Sequence, residues 1–302
     1  MNETGNKRSG FVGIIGAPNA GKSTLINKLV GTKVSIVSPR VQTTRVRVMG
    51  IVIKNNAQIV FVDTPGIFAP KKRLDRAMVS AAWRGAEDAE AILLIVDAAR
   101  PKLDSDSEAI LARLKEQNKK ALLVLNKTDL ANKETLLKRA DELFSSGVFE
   151  RAYMISALTG DGIDRLLSDL AGMMPESPWM FPEDQITDMP MRLWAAEITR
   201  EQIFLQLREE LPYAVTVETE SWEEFDNGDV KITQVIFVMR DSQKAIALGK
   251  GGSRIKEIGQ QARLELEEIL GRRAHLSLFV KVRENWADDP ERYRDWGLEF
   301  DA

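Results

Sequence analysis

Between Gly10 and Met174, short apolar runs alternate with stretches of helix length. Phe11–Ile15, Ile59–Val62, Ile92–Val96, Leu122–Leu125 and Tyr153–Ile155 are apolar and strand-sized. Between them, Lys22–Val30, Leu74–Glu87, Asp106–Glu116, Thr135–Phe144 and Ile163–Met173 repeat apolar residues at the spacing of one helix face. A strand that is apolar on both faces must be covered on both. The alternation therefore predicts an α/β domain, a mostly parallel sheet with helices on either side. Val46–Ile53 and Ile59–Val62 are joined through Lys54-Asn55-Asn56, which predicts a hairpin and one antiparallel edge strand.

Pro175, Pro178, Pro182 and Pro190 then punctuate a segment without periodicity. Proline lacks an amide proton and continues neither a helix nor a central strand, so this segment is expected to be a linker. Beyond it the order changes to helix (Arg192–Glu210), strand (Ala214–Glu223), strand (Lys231–Arg240), short helix (Ser242–Leu248), helix (Ser253–Leu270) and strand (His275–Arg283). The expected division is a first domain over 1–174, a linker over 175–191, and an α+β domain over 192–302 ending in an acidic tail.

Two domains suit a chain of 302 residues of which 44% are hydrophobic. A formal net charge of −3 argues against a protein coated along its length by nucleic acid. The absence of cysteine excludes disulfides and thiol chemistry and fits a reducing cytosol, and a single histidine, His275, excludes most histidine metal sites. The run Phe11–Ile15 is too short for a signal-peptide core, and no stretch approaches the ~20 apolar residues of a membrane helix. A soluble, cytoplasmic, monomeric protein is expected, with peripheral contact to the inner face of the cell membrane left open.

The first chemical motif is Gly16-Ala17-Pro18-Asn19-Ala20-Gly21-Lys22-Ser23, which matches G-x-x-x-x-G-K-[ST] and is followed by Thr24. It leaves a predicted strand and opens a predicted helix, the context in which backbone amides and a helix N-terminus cradle phosphates. Lys22 is expected to reach the β- and γ-phosphates, and Ser23 to give its hydroxyl to Mg²⁺. Asp63-Thr64-Pro65-Gly66 closes the run Ile59–Val62. Asp63 is placed to hold the metal through water, and the Gly66 amide to face the γ-phosphate. In Gln42-Thr43-Thr44-Arg45 either threonine offers a hydroxyl that ligates Mg²⁺ only while the γ-phosphate is present; Thr44 is favoured. Lys22, Thr44 and Gly66 are thus the expected catalytic set.

Asn126-Lys127-Thr128-Asp129 follows Leu122–Leu125. A carboxylate at Asp129 accepts two hydrogen bonds from guanine, and adenine lacks that donor pair. Asn126 can bond the purine edge or brace the phosphate loop, the Lys127 stem can pack on the ring, and Ser156-Ala157-Leu158 can offer the Ala157 amide to the guanine O6 atom. In this order the motifs resemble the five-box pattern of translation-factor-like GTPases and point to GTP and GDP. The residue after Gly66 is Ile67, where many such GTPases carry a water-orienting glutamine. Asn19 resembles the asparagine of GTPases that hold K⁺ beside the phosphates, which makes it a candidate potassium ligand.

In the second domain Gly249-Lys250-Gly251-Gly252 lies between two predicted helices. A G-x-x-G loop in an α-β-β-α-α-β order resembles the type II KH module, which clamps single-stranded nucleic acid. Gly249, Lys250, Gly251, Gly252, Ser253, Arg254 and Lys256 are the candidate RNA contacts, with Ile246, Ile255 and Ile258 as the groove wall. From Arg240 to Arg283 ten Lys and Arg face five Asp and Glu, a net +5; residues 191–239 carry −6 and 284–302 carry −5. One local basic groove fits this distribution better than a duplex-coating surface. The acidic tail from Asn285 is a candidate cover for that groove. His275, Trp179, Trp286 and Trp296 are read as packing residues.

The whole constellation resembles the Era family of bacterial GTPases over almost the full chain, including Val280-Lys281-Val282-Arg283-Glu284-Asn285-Trp286. The resemblance implies a P-loop GTPase domain followed by a type II KH domain. It implies hydrolysis of GTP with Mg²⁺, and binding of the single-stranded 3′ end of small-subunit rRNA in assembly of the 30S ribosomal subunit. Two rivals stay open: an RNA-binding assembly factor with incidental turnover, and a membrane-peripheral signalling GTPase.

Overall fold

A computed structural model describes residues 6–41, 43–208 and 210–301. Gln42, from the Gln42–Arg45 motif, lies outside the described residues. The chain forms two compact units. One comprises Met1–Ser35, Thr44–Asp188 and Arg292–Ala302; the other comprises Ile36–Thr43 and Met189–Glu291.

The first unit holds a six-stranded sheet in the order β2-β3-β1-β4-β5-β6. The strands are β1 (Arg8–Gly16), β2 (Val48–Lys54), β3 (Ala57–Asp63), β4 (Ala91–Asp97), β5 (Ala121–Asn126) and β6 (Phe149–Met154). Only β2 runs antiparallel, paired with β3 as the hairpin predicts. The helices are α1 (Lys22–Val30), α2 (Arg73–Glu87), α3 (Ser105–Glu116), α4 (Lys133–Phe144) and α5 (Ile163–Met173). Every residue of β3 and β5 is buried, as apolar strands between two helical layers should be. β1, β3, β4, β5 and β6 are parallel, so their C-terminal ends share one edge, and the chain departs from β1 to both sides of the sheet. Such a switch point is where open α/β sheets bind ligands.

The second unit contains α6 (Met191–Gln206), β7 (Val215–Glu224), β8 (Val230–Val238), α7 (Asp241–Leu248), α8 (Ser253–Leu270) and β9 (Ala274–Val282). β7 and β8 are antiparallel, and β9 joins β8 in parallel. Its core gathers Ala196, Ile203, Val215, Ile236, Val238, Ile258 and Val280. The element order is the expected one, although α6 stops at Gln206, four residues before the expected end at Glu210.

The units differ from the expected division in three places. The proline-rich segment up to Asp188 is part of the first unit. The buried Gln58 side chain bonds the backbone of Met180 and Phe181, and Ile51 N–H donates to Ile186 O at 2.9 Å. Prolines prevent this segment from forming regular structure but leave its remaining amides free to pair with the sheet edge. Ile36–Thr43 belongs to the second unit, where Val37 N–H donates to Glu201 Oε1 at 2.6 Å and Arg200 donates to Thr43 O at 2.6 Å. The tail from Arg292 packs on the first unit rather than over the Gly249–Gly252 loop. Tyr293, Trp296 and Leu298 are buried, Arg47 N–H donates to Trp296 O, Arg84 pairs with Glu299, and Arg73 lies over the Phe300 ring. Three apolar side chains outweigh the charge pattern that suggested a basic docking face. No helix among the described residues is long and apolar enough to cross a membrane.

Candidate functional site

The loop Gly16–Ser23 joins β1 to α1 at the switch point. Gly21 precedes α1 with φ +100°, and a Cβ there would stand 2.2 Å from Asn126 Nδ2. A Cβ on Gly16 would stand 2.6 Å from Ile95 O. Both glycines are therefore required by close approach, and Gly21 by its left-handed backbone as well. Asn19 is left-handed too, at φ 62°. The first turn of α1 carries no acidic residue, so its positive end is not neutralised by its own helix.

Lys22 is 6% exposed and donates to Gly16 O at 3.0 Å and Ala17 O at 2.9 Å. Burial lowers its pKa to about 8, against the opposing pull of Asp63. A buried ammonium without a paired anion suits a site that receives phosphates.

Asp63 ends β3 and is fully buried. Its Oδ2 accepts from Ser23 Oγ at 3.0 Å and from Ser35 Oγ at 2.8 Å, while its Oδ1 is buried with no hydrogen-bond partner. Burial raises its pKa, opposed by the bond from Ser35, the charge of Lys22 and the bond from Ser23. Ser23 Oγ also lies 2.9 Å from Thr44 Oγ1. Two hydroxyls and one carboxylate with an unused oxygen form a hard, oxygen-only donor set that fits Mg²⁺. Of the two threonines, Thr44 reaches this cluster. Thr43 Oγ1 bonds Ser38 and the Arg40 carbonyl instead.

Thr64 is buried and donates from Oγ1 to Ile14 O at 2.7 Å, tying the strand end to β1. Gly66 packs on Pro18, where a Cβ would meet its ring and backbone at 3.1 Å. Pro65 is buried and Thr24 lies half-buried on α1. Ile67 is 6% exposed and packs in the apolar core with Ile15, Ala82 and Leu94, so its side chain takes no part in orienting water.

At the base end, Asn126 donates from Nδ2 to Ala20 O at 2.8 Å and accepts from Ala157 N–H at 2.9 Å. Of its two expected roles it performs the bracing one, tying the phosphate loop to the Ser156–Leu158 turn. The Ala157 amide, expected to face guanine O6, lies at this same junction and donates to the Asn126 carboxamide, which spans both loops. Lys127 turns the backbone through φ 67° and bonds Asp97 Oδ2 at 2.7 Å. A left-handed non-glycine residue is a strain that persists where surroundings demand it. Asp129 is exposed and Leu158 largely exposed at the same edge, with Ser156 buried beneath.

In the second unit the Gly249–Gly252 loop caps α7 and starts α8. Gly249, Gly251 and Gly252 have φ of 71°, 60° and 78°. A side chain at any of them is strained, although nothing crowds Gly251 or Gly252. Lys250, Ser253, Arg254 and Lys256 are exposed around it. Between α8 and β9 lies a groove, a cavity of about 430 Å³ lined by Ile255, Lys256, Gly259, Gln260, Arg263 and Leu276 together with Leu278. Ile258, expected on the wall, is fully buried in the core one helical face away. Ile246 is exposed. His275 is exposed beside Asp229, and Trp286 is buried with its Nε1 donating to Ala214 O.

Residues 11–127 match the family model described as a 50S ribosome-binding GTPase, and residues 210–287 match that of the KH domain. GTPase Era of Rhizobium meliloti is 60% identical over 293 residues, covering 97% of this chain and 93% of its own. The chain belongs to the Era family of GTPases. GTPase Era of Brucella suis is 58% identical over 298 residues, covering 99% of this chain and 96% of its own. Among solved structures, Era in complex with MgGDPNP and nucleotides 1506–1542 of 16S ribosomal RNA superposes with a TM-score of 0.90 at 42% identity, covering 96% of this chain and 99% of that one. An Aquifex aeolicus Era variant bound to GDP and AlF4⁻ gives 0.89 at 43% identity with the same coverage.

Within this Era-family chain, Ser35, Asn27 and the β9 side of the groove escaped sequence reasoning. Ser35 and Asn27 sit in no contiguous motif. The β9 side was legible in principle, since Leu276, Leu278 and Val280 alternate with exposed residues and mark one strand face.

Proposed function

We propose that this GTPase is a magnesium-dependent switch that holds the single-stranded 3′ end of small-subunit rRNA during assembly of the small ribosomal subunit. The observation that carries the reading is the Ser23–Thr44–Asp63 cluster with its unpartnered, buried carboxylate oxygen. It stands beside a phosphate loop in a chain whose other unit bears a glycine-rich loop and a groove with Lys256 and Arg263 on its wall. Mg²⁺ supplies charge neutralisation at the phosphates when bound, and Ser23, Thr44 and Asp63 would hold it.

The chain's own groups do the rest. Loop amides and the α1 terminus bind the phosphates, and Lys22 leaves its two carbonyls to meet them. Asp129 selects guanine, with Asn126 holding the loops in register. The Gly66 amide and Thr44 sense the γ-phosphate. With Ile67 in the core, no side chain after Gly66 orients the water, and the sequence identifies no arginine finger; Asn19 offers a side-chain oxygen to a K⁺ ion that would stand in for the finger's charge. Turnover that is equal in K⁺ and Na⁺, and unaffected by Asn19→Ala, would remove the potassium role.

In the second unit, Lys250, Arg254, Lys256 and Arg263 meet the sugar-phosphate backbone while Ile255, Leu276 and Leu278 pack on bases. The test is fluorescence anisotropy with a short single-stranded RNA from the small-subunit rRNA 3′ end, run with a non-hydrolysable GTP analogue and with GDP. Tighter binding with the analogue, abolished by Gly251→Asp with Gly252→Asp, supports a coupled switch. Equal binding in both nucleotide states removes the coupling, and no binding removes the RNA site.

A further inference from the structure

Asp63 is a buried carboxylate with a one-sided bonding pattern. Both hydroxyls that reach it, Ser23 and Ser35, donate to Oδ2, and Oδ1 receives nothing. A carboxylate rotates readily about its last bond, with no strong preference for one orientation. Inside a protein no water corrects a wrong one. Something must therefore decide which oxygen stays free.

Ser23 is poorly suited to that task alone. Its oxygen is already shared with Thr44, 2.9 Å away, and belongs to the metal donor set. Ser35 has a single side-chain partner, Asp63 Oδ2 at 2.8 Å, and is buried. Its backbone is clamped by one side chain. Asn27 Oδ1 accepts from Val34 N–H and Ser35 N–H, both at 2.9 Å, and Asn27 Nδ2 donates to Ser35 O at 2.7 Å. Asn27 sits on α1, the helix that carries Ser23 on its first turn. One rigid helix thus sets both hydroxyls against the end of β3.

We infer that Ser35 is a positioning residue for the metal carboxylate: its hydroxyl, fixed by Asn27, holds Asp63 Oδ2 and leaves Oδ1 as the oxygen available to magnesium. The inference rests on the nucleotide–magnesium reading above. It assigns a role to a residue that lies in none of the phosphate, metal or base motifs. Residues that orient a metal ligand without touching the ion commonly set affinity by 10–100-fold, and that is the size expected here.

The experiment titrates Mg²⁺ into full-length protein with a fluorescent GDP analogue and reads the magnesium midpoint for nucleotide binding. Ser35→Ala should raise that midpoint by about 10-fold or more, leaving affinity near wild type both at saturating Mg²⁺ and in EDTA. Asn27→Ala should move the midpoint in the same direction, and it serves as the test if Ser35→Ala does not fold. Circular dichroism and the thermal unfolding midpoint establish folding for each variant. A midpoint within about twofold of wild type in the folded variants overturns the inference. So does an equal loss of affinity with and without Mg²⁺, which marks a general packing role. Wild-type binding that ignores Mg²⁺ overturns instead the metal reading beneath it.

Discussion

Lys22 should make nucleotide binding a proton-uptake reaction in mildly alkaline solution. Burial holds its pKa at about 8 in the folded protein, with Gly16 O and Ala17 O as its partners. A bound diphosphate places anionic oxygens beside the ammonium and returns the pKa toward or above the ordinary Lys value of about 10.4. The protonated form is then favoured in the complex and disfavoured in the free protein, so affinity must fall as pH rises through the free-state value. At pH 8.5 about three quarters of the free Lys22 is neutral, and binding should take up roughly 0.7 proton; at pH 7 the uptake is about 0.1. Affinity for GDP should weaken by roughly fourfold between pH 7 and pH 8.5, about 0.8 kcal/mol. Isothermal titration calorimetry of GDP at each pH, in two buffers of different ionisation enthalpy, reads the proton count directly. No net uptake at pH 8.5 would refute the account, since it would mean that the folded protein keeps Lys22 charged without an anion.

Four further outcomes are expected. Gly21→Ala places a Cβ against Asn126 Nδ2 at a left-handed backbone, so nucleotide affinity should fall by more than about tenfold in a fluorescent-nucleotide titration. Asp129→Asn removes the acceptor pair for guanine, so GDP affinity should fall by about 10⁴-fold while xanthosine diphosphate, whose base accepts where guanine donates, gains. Lys250→Ala with Arg254→Ala removes two backbone cations, so the slope of log affinity for single-stranded RNA against log salt should become shallower by about 1.4. Deleting 292–302 uncovers the surface beneath Tyr293, Trp296 and Leu298, and the melting temperature should drop by several degrees, from burial of ~1.5–3 kcal/mol for each large apolar side chain; an unchanged melting curve would show that the tail packs without stabilising.

The nucleotide site was largely legible because phosphate chemistry needs contiguous residues. Gly16–Ser23 must be one loop, and Asp63 and Asn126 must each end a buried strand, so order and spacing announce them. Thr44 was separable from Thr43 only in three dimensions, where one hydroxyl reaches Ser23 and the other turns back to Ser38. The bond from the Ala157 amide to Asn126 was not legible, because a backbone group carries no sequence signature of its partner. Ile258 was placed in the groove although it lies on the α8 face shared by Ala262 and Leu266, both buried, a four-residue spacing that marks the core side. The tail misled for a different reason. Its six acidic residues dominate any reading of charge, whereas its packing is decided by a few apolar ones.

The membership of Ile36–Thr43 in the second unit bears on how freely the protein can be taken apart. The chain passes from one unit to the other at four peptide bonds, after Ser35, Thr43, Asp188 and Glu291. A cut at the proline-rich segment therefore does not yield two self-sufficient halves. The excised nucleotide half would keep Ile36 without the Trp194 and Ile198 cluster that buries it, and the excised nucleic-acid half would lack the Ile36–Thr43 stretch that Glu201 and Arg200 hold at Val37 and Thr43. Exchange of the second unit between relatives should succeed only when that short stretch travels with it, so the piece inherited as a cassette is discontinuous in the gene although continuous in space.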